Sequence, residues 1–234
     1  LVLCYDNKGN WRREYFPNYK HGRRKDRKAS TLDWGSIFDT LHLIKTELQD
    51  NFPYKVLEVE DSEADDIIAS IVHWVSGSPS RYEKVLIVSG DKDFIQLQKH
   101  NFVTQYSPTL KKFINGIDPV TYIREHILKG DRSDGVPNFL SPDNCFVDDM
   151  RQRPISKKKL ATWVDLEPED FCNEEMLRNY QRNRKLIDLE YAPAGITDRC
   201  IQAYLNSTVK DRSGLLNYFI KHRLKNHMEN IGDF

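Results

Sequence analysis

Residues 58–66 read EVEDSEADD, six carboxylates in nine positions with no cation among them. Glu63, Asp65 and Asp66 stand where a short β-branched run, KVLEV (55–59), gives way to IIASIVHWV (67–75), apolar at helical spacing. Packing that much like charge together costs stability unless cations or helix dipoles offset it. Two chemistries fit. Acids favour the first turn of a helix, and Ser62 with Asp65 has the spacing of a capping box. Carboxylates in such number also make an all-oxygen site for a divalent ion. A box uses one acid and leaves the others unexplained.

Two more apolar runs end in acid: LVLCYD (1–6) in Asp6, and KVLIVS (84–89) just before Asp91 and Asp93. In a parallel sheet all strand carboxyl ends lie along one edge, where open α/β folds bind ligands. Asp6, Glu63, Asp65, Asp66, Asp91 and Asp93 are therefore expected to share one cleft. GDRSD adds Asp131 and Asp134, one turn apart at the end of a helix predicted over 119–131. Asp93 before FIQL also suits a helix cap, but caps do not explain acid at every core strand end. No His or Cys stands beside these acids in the chain, which favours Mg²⁺ or Mn²⁺ over zinc. Two such ions about 3.5–4 Å apart can activate a water and steady both oxygens of an in-line phosphoryl displacement.

Positioning these groups requires strand, excursion, helix, strand, helix, strand, helix, which is the α/β pattern of a parallel sheet. Residues 31–52 predict an amphipathic helix with Trp34, Ile37, Phe38, Leu41, Ile44 and Leu48 on one face. A turn-rich loop is expected at 76–83, a helix start near Asp93 and a further strand at 102–108. From 119 onward the pattern is helical, with segments at 119–131, 174–191, 198–206 and 214–228. The expected division is an α/β core over 1–118, including the basic excursion over 8–30, and a helical part over 119–234.

The 234 residues carry 35 Lys/Arg against 35 Asp/Glu, so net charge alone says little about partners. Its distribution says more. Residues 8–28 hold nine cations (Lys8, Arg12, Arg13, Lys20, Arg23, Arg24, Lys25, Arg27 and Lys28) against Glu14 and Asp26. Trp11, Tyr15, Phe16 and Tyr19 are interleaved, a combination that suits phosphate contact and base stacking; the alternative is a solvated charged loop. A second basic run, RQRPISKKK, places Arg151, Arg153, Lys157, Lys158 and Lys159 together. No run approaches the ~20 apolar residues needed to span a bilayer. The four cysteines have no metal-ligand spacing, so reduced thiols in a cytoplasm are expected. Leu1 opens the chain inside a strand, so a preceding N-terminal segment is expected.

Several of these stretches resemble the motifs of the 5′-nuclease family, which includes flap endonucleases and the 5′-exonuclease domains of bacterial DNA polymerases. They are SEADD, SGDKDFIQL and GDRSDGVP, with YKHGRR similar to the family's YKxxR in the arch. LVLCYDN, WRR and RKLIDLEYAP are similar to the ribonuclease H branch of T-even bacteriophages. The resemblance implies a PIN-like nuclease core with a helical C-terminal part. It also implies a Mg²⁺-dependent enzyme acting at 5′ ends and flaps, removing RNA primers and adjacent DNA in lagging-strand replication. By it, Asp6, Glu63, Asp65, Asp66, Asp91 and Asp93 ligate metal, Asp131 and Asp134 serve a second ion, and Lys20 and Arg23 hold the scissile phosphate. Implied partners are branched or nicked DNA and RNA–DNA duplex, with a sliding clamp and a single-strand DNA-binding protein, in a phage host's cytoplasm. Two departures stand out. The family's first acidic strand, with one more metal-binding Asp, would lie upstream of Leu1. The glycine-rich helix–hairpin–helix after GDRSDGVP is replaced by NFLSPDNCFVDDMRQRPISKKK, whose basic end is expected to pair directly with phosphates. Other readings of the same acids are a PIN-like ribonuclease and a catalytically silent junction-binding module.

Overall fold

The computed structural model describes residues 1–77, 80 and 83–234. Residues 78, 79, 81 and 82, within the loop expected at 76–83, lie outside the described residues, as does the side chain of Arg24.

Helix α4 (Ala64–Ser76) is the floor of the α/β half. Its apolar residues point two ways. Ile67 and Ile71 pack beneath β1 (Val2–Tyr5) and β2 (Lys55–Glu58), while Ala69 and Val72 pack beneath β3 (Val85–Val88) and β4 (Val103–Ser107). β1 and β2 pair in parallel, with Cys4 opposite Leu57. β3 and β4 also pair in parallel, and β5 (Lys112–Ile114) adds to β4 in the antiparallel sense. The single parallel sheet expected from the sequence is thus in two pieces. Among the described residues no ladder joins β1 to β3. Ile87 of β3 is buried toward α4, whereas Leu86 and Val88, on the opposite face, are 54% and 58% exposed.

The basic excursion is more ordered than its breakers suggest. It forms α1 (Trp11–Tyr15) and α2 (His21–Ala29). Asn10 caps α1 through its side chain, and Pro17 follows its end. Trp11, Phe16 and Tyr19 are buried core residues, so the expectation that they stack on bases is corrected; Tyr15 remains exposed. Helix α3 (Trp34–Asn51) forms as predicted, yet none of its residues is buried. Phe38 and Leu41 stay about half exposed, and only Leu48, near its end, joins a core, with Phe52 and Phe219. The helix expected near Asp93 is a 3₁₀ segment, Lys92–Lys99, capped by Asp91.

The C-terminal half is helical: α5 (Pro119–Lys129), α6 (Lys157–Trp163), α7 (Pro168–Phe171), α8 (Glu174–Ile187), α9 (Ala194–Asn206), α10 (Leu215–Lys221) and α11 (Lys225–Glu229). The 214–228 segment breaks in two at Arg223, whose φ is 56°. α9 packs against α4, and α5 lies between α8 and the 3₁₀ segment. That placement brings the end of α5 to the end of β3. No described helix is long and apolar enough to cross a membrane.

Candidate metal centre and nucleic-acid interface

The start of α4 is held by a capping box one residue later than the sequence spacing suggested. Glu63 is the N-cap and Asp66 its reciprocal partner, while Ser62 Oγ donates to Val59 O instead. Asp66 is fully buried. Its Oδ1 accepts from Arg12 Nη2 at 2.8 Å; its Oδ2 accepts from Arg12 Nη1 at 2.8 Å, Trp11 Nε1 at 3.1 Å and Glu63 N at 2.9 Å. Those bonds occupy the carboxylate, so Asp66 anchors the site from behind and the expectation that it ligates a metal is corrected. Arg12 is corrected with it. Only 2% exposed, it also donates Nε to Leu186 O at 3.0 Å and is too deeply buried to meet nucleic acid.

In front of this anchor the remaining acids converge from three segments of the chain. Asp65 follows β2, Asp91 and Asp93 follow β3, and Asp131 and Asp134 follow α5. Gly130 makes the α5 exit possible: at φ 67° it occupies a left-handed position, and a Cβ there would sit 2.4 Å from Val136 O. Glu63, Asp65, Asp93, Asp131 and Asp134 line one small cavity. Burial, reinforced by Asp91, Glu63 and Asp93, pushes the Asp65 carboxyl up to about 8. Burial also drives Asp93 upward, with Asp91, Asp131 and Asp134 adding to it against the pull of His126. Asp131 would rise on burial too, but His126 and Ser133 hold it well below the usual carboxylate range. Asp6 is exposed at the rim and accepts from Ala64 N at 2.8 Å. Asp91 is exposed and accepts from Asp93 N at 3.0 Å. An oxygen-rich, partly buried cluster in which burial and neighbouring carboxylates raise Asp65, Asp93 and Asp134 fits a hard divalent cation, whose charge would offset that repulsion.

The predicted phosphate-holding cations reach the same place. Lys20 Nζ pairs with Glu63 Oε1 and lies 3.6 Å from Asp134; Arg23 Nη2 donates to Asp134 Oδ1 at 2.6 Å. Tyr19, which sequence reasoning had assigned to stacking, sits between them. Its hydroxyl is 2.8 Å from Glu63 Oε2 and 2.7 Å from Asp134 Oδ2, and can give its one proton to either. Burial raises its own pKa well above that of a free phenol. From this cluster an open groove of about 1020 Å³ runs along α2 and α3, lined by Asp6, Arg13, Lys20, Arg23, Arg27, Lys45 and the exposed Phe38 and Leu41. Lys25 and Lys28 are exposed on α2, and Arg27 lies over the Trp34 and Phe38 rings. Arg151, Arg153, Lys157, Lys158 and Lys159 are exposed around the start of α6, separate from the acid cluster.

His126 is the group sequence reasoning missed. It lies on the last turn of α5, Nδ1 3.4 Å from Asp93 Oδ1 and Nε2 3.4 Å from Asp131 Oδ2. Burial alone would lower this imidazole, but Asp131 and Asp93 raise it. The available signal was its position, five residues ahead of Asp131 in HILKGD.

Residues 1–126 match the family described as 5′-3′ exonuclease, N-terminal resolvase-like domain, and residues 118–234 match T4 RNase H, C terminal. The chain belongs to the 5′-3′ exonuclease family. This 5′-3′ exonuclease family member is 33% identical over 247 residues to Ribonuclease H of Enterobacteria phage T4, a match covering 100% of this chain and 79% of that protein. It is 31% identical over 145 residues to a 5′-3′ exonuclease of Buchnera aphidicola, covering 58% of this chain and 47% of that one. Among solved structures, phage T5 5′-exonuclease with bound divalent zinc ions aligns at TM-score 0.57 and 18% identity, covering 88% of this chain and 83% of that one. The bacteriophage T5 flap endonuclease in a pseudo-enzyme–product complex with DNA and metal ions aligns at TM-score 0.55 and 19% identity, covering 87% and 82%. At such identity these two bear on the fold, a mixed α/β nuclease core followed by helices.

Proposed function

We propose that this nuclease is a divalent-metal-dependent 5′-3′ exonuclease and flap endonuclease, with ribonuclease H activity, that removes RNA primers and adjacent DNA in lagging-strand replication. The observation that carries the reading is the convergence of Glu63, Asp65, Asp93, Asp131 and Asp134 on one cavity that opens beside a cation-lined groove. Mg²⁺ is the proposed natural ion, two per site, with Mn²⁺ able to replace it. Glu63, Asp65, Asp91, Asp93, Asp131 and Asp134 would hold these ions, with Asp6 at the rim. When bound they would activate water and neutralise charge on the phosphate being cut.

The chain's own residues account for orientation. Lys20 and Arg23, anchored on Glu63 and Asp134, stand where a phosphate entering the cleft would exchange carboxylate partners for its own oxygens. Arg13, Lys25, Arg27 and Lys28 would follow the backbone of a single strand along α1 and α2, with Phe38 and Leu41 offering an apolar floor to bases. Arg151, Arg153 and Lys157–Lys159 would pair with duplex phosphates. The nuclease core is assigned to 1–118 and duplex engagement to 119–234. Branched or nicked DNA and RNA–DNA duplex are the proposed substrates, a sliding clamp and a single-strand DNA-binding protein the proposed partners, and a host cytoplasm the proposed setting.

The test is cleavage of end-labelled 5′-flap, nicked and blunt duplexes with Mg²⁺, with Mn²⁺ and with chelator. Flap cutting that needs the ion is expected, and Asp91→Asn should lower the rate by orders of magnitude while binding stays or tightens. Tight binding without turnover in either metal would instead make the chain a junction-binding module.

A further inference from the structure

We infer that His126 is a metal ligand, and that it makes the Asp93–Asp131 side of the cleft a mixed nitrogen–oxygen site whose intrinsic affinity for Mn²⁺ exceeds that for Mg²⁺, whichever ion occupies it naturally. The inference rests on the metal-dependent reading above and adds a donor that reading does not contain.

The geometry is that of a set prepared for one ion. One ligand atom each from Asp93, His126 and Asp131 can be chosen so that all three lie within 4.8 Å of one another. Asp131 is turned for the purpose. Its Oδ1 accepts from Ser133 N and Ser133 Oγ, both at 2.7 Å, and from Asp134 N at 3.2 Å, so that Oδ2 is the oxygen facing His126. His126 is fixed on the last turn of α5, where its carbonyl accepts from Gly130 N at 2.8 Å and its ring meets Tyr122 edge-on. Its Nδ1 is buried without a hydrogen-bond partner, although Asp93 Oδ1 is 3.4 Å away. A buried ring nitrogen left unbonded costs stability and calls for an explanation. Neighbouring donors on a six-coordinate ion with bonds near 2.1 Å stand about 3 Å apart, so 3.4 Å suits two ligands of one ion better than it suits a hydrogen bond.

Imidazole changes which ion the site prefers. A cluster of carboxylates alone favours Mg²⁺, which keeps its waters and has little taste for nitrogen. Adding one imidazole raises affinity for Mn²⁺ and for later first-row ions.

The experiment is a titration of the full chain with Mn²⁺ alone, followed by electron paramagnetic resonance for stoichiometry and by its nitrogen modulation for ligand type, with Mg²⁺ as competitor. His126→Ala and His126→Gln are run beside wild type, each checked for folding by circular dichroism. Wild type is expected to show Mn²⁺ coupled to an imidazole nitrogen. Both variants should lose the coupling, and the Mn²⁺ preference over Mg²⁺ should drop by roughly tenfold to a hundredfold. Bound Mn²⁺ without nitrogen coupling in wild type, or coupling that survives in both variants, overturns the assignment and leaves His126 as a clamp between two acids. If Asp131→Asn still weakens Mn²⁺ in that case, the carboxylate site stands without the histidine. If wild type takes up no Mn²⁺, or takes it up no better than Asp91→Asn and Asp131→Asn, both readings fall together.

Discussion

Arg12 and Asp66 form the ion pair on which the acid cluster leans, and neither can be lost cheaply. Breaking a buried pair by removing one partner strands the other charge, at a cost of about 3–5 kcal/mol. Arg12→Met should therefore lower the melting temperature by of order 10 °C in a chain of this size. Arg12→Met combined with Asp66→Asn should lose less, because no bare carboxylate remains. A single-variant loss below about 1 kcal/mol by denaturant titration would show that the pair is energetically neutral. Asp143 supports a different pair of arginines. Burial would raise its carboxyl, but bonds from Arg178 at 2.7 and 3.0 Å and from the buried Arg182 at 2.5 Å hold it below the usual range. A depressed carboxyl contributes fully above its unfolded value of about 4 and loses that contribution as pH falls through the folded value. The stability gap between wild type and Asp143→Asn should thus stay level from pH 7 to about 4 and narrow below it. A gap that changed between pH 7 and 5 would assign the effect to another group.

Among the elements, the turn from α5 into the acid loop is the least replaceable. Gly130→Ala forces a side chain into a left-handed position against Val136 O, and should cost about 1–3 kcal/mol. It should also weaken Mn²⁺ binding, since Asp131 and Asp134 ride on that loop; unchanged melting and binding would mean the turn relaxes freely. The acids after β1, β2 and β3 were legible in the sequence because short β-branched runs announce strands, and strand ends in α/β folds share an edge. Asp66 was misjudged because a metal ligand and a helix anchor use the same residue type in the same first turn. Only the partner, Arg12 from 54 positions away, tells them apart. Trp11, Phe16 and Tyr19 looked like stacking aromatics because their cations dominate local composition, yet Phe16 and Tyr19 are buried by α8 and the 131–136 loop, and Trp11 by β2, α4 and α9. Long-range contacts of that kind leave no local period. α3 failed in the opposite sense: its amphipathic pattern is real, but among the described residues little covers it.

At the scale of the molecule, a net charge of zero conceals separation. Acids gather in the cleft, while exposed cations follow α2 and the 151–159 run. Nucleic-acid binding should be strongly salt-dependent in spite of the neutral total. Lys25→Gln with Lys28→Gln is the informative pair, since Arg27 also shields Trp34 and Phe38 and its loss would confuse folding with charge. Each single-strand phosphate contact removed should flatten the log–log salt slope by about 0.7. A slope that did not move would make α2 a solvated face.

Among the described residues the two sheets share α4 and no ladder, and this sets how the chain opens. A pair of strands is not stable by itself, so β1 and β2 depend on α4 and α9 for protection, whereas β3 is backed by β4, β5 and the 3₁₀ segment. Native-state amide exchange followed by mass spectrometry should therefore divide the core into separate opening units. Peptides covering 1–6 and 55–58 should take up deuterium together and early, and those covering 85–88 and 103–107 together and late. A single common rate for both sets would mean that α4 transmits every opening from one sheet to the other.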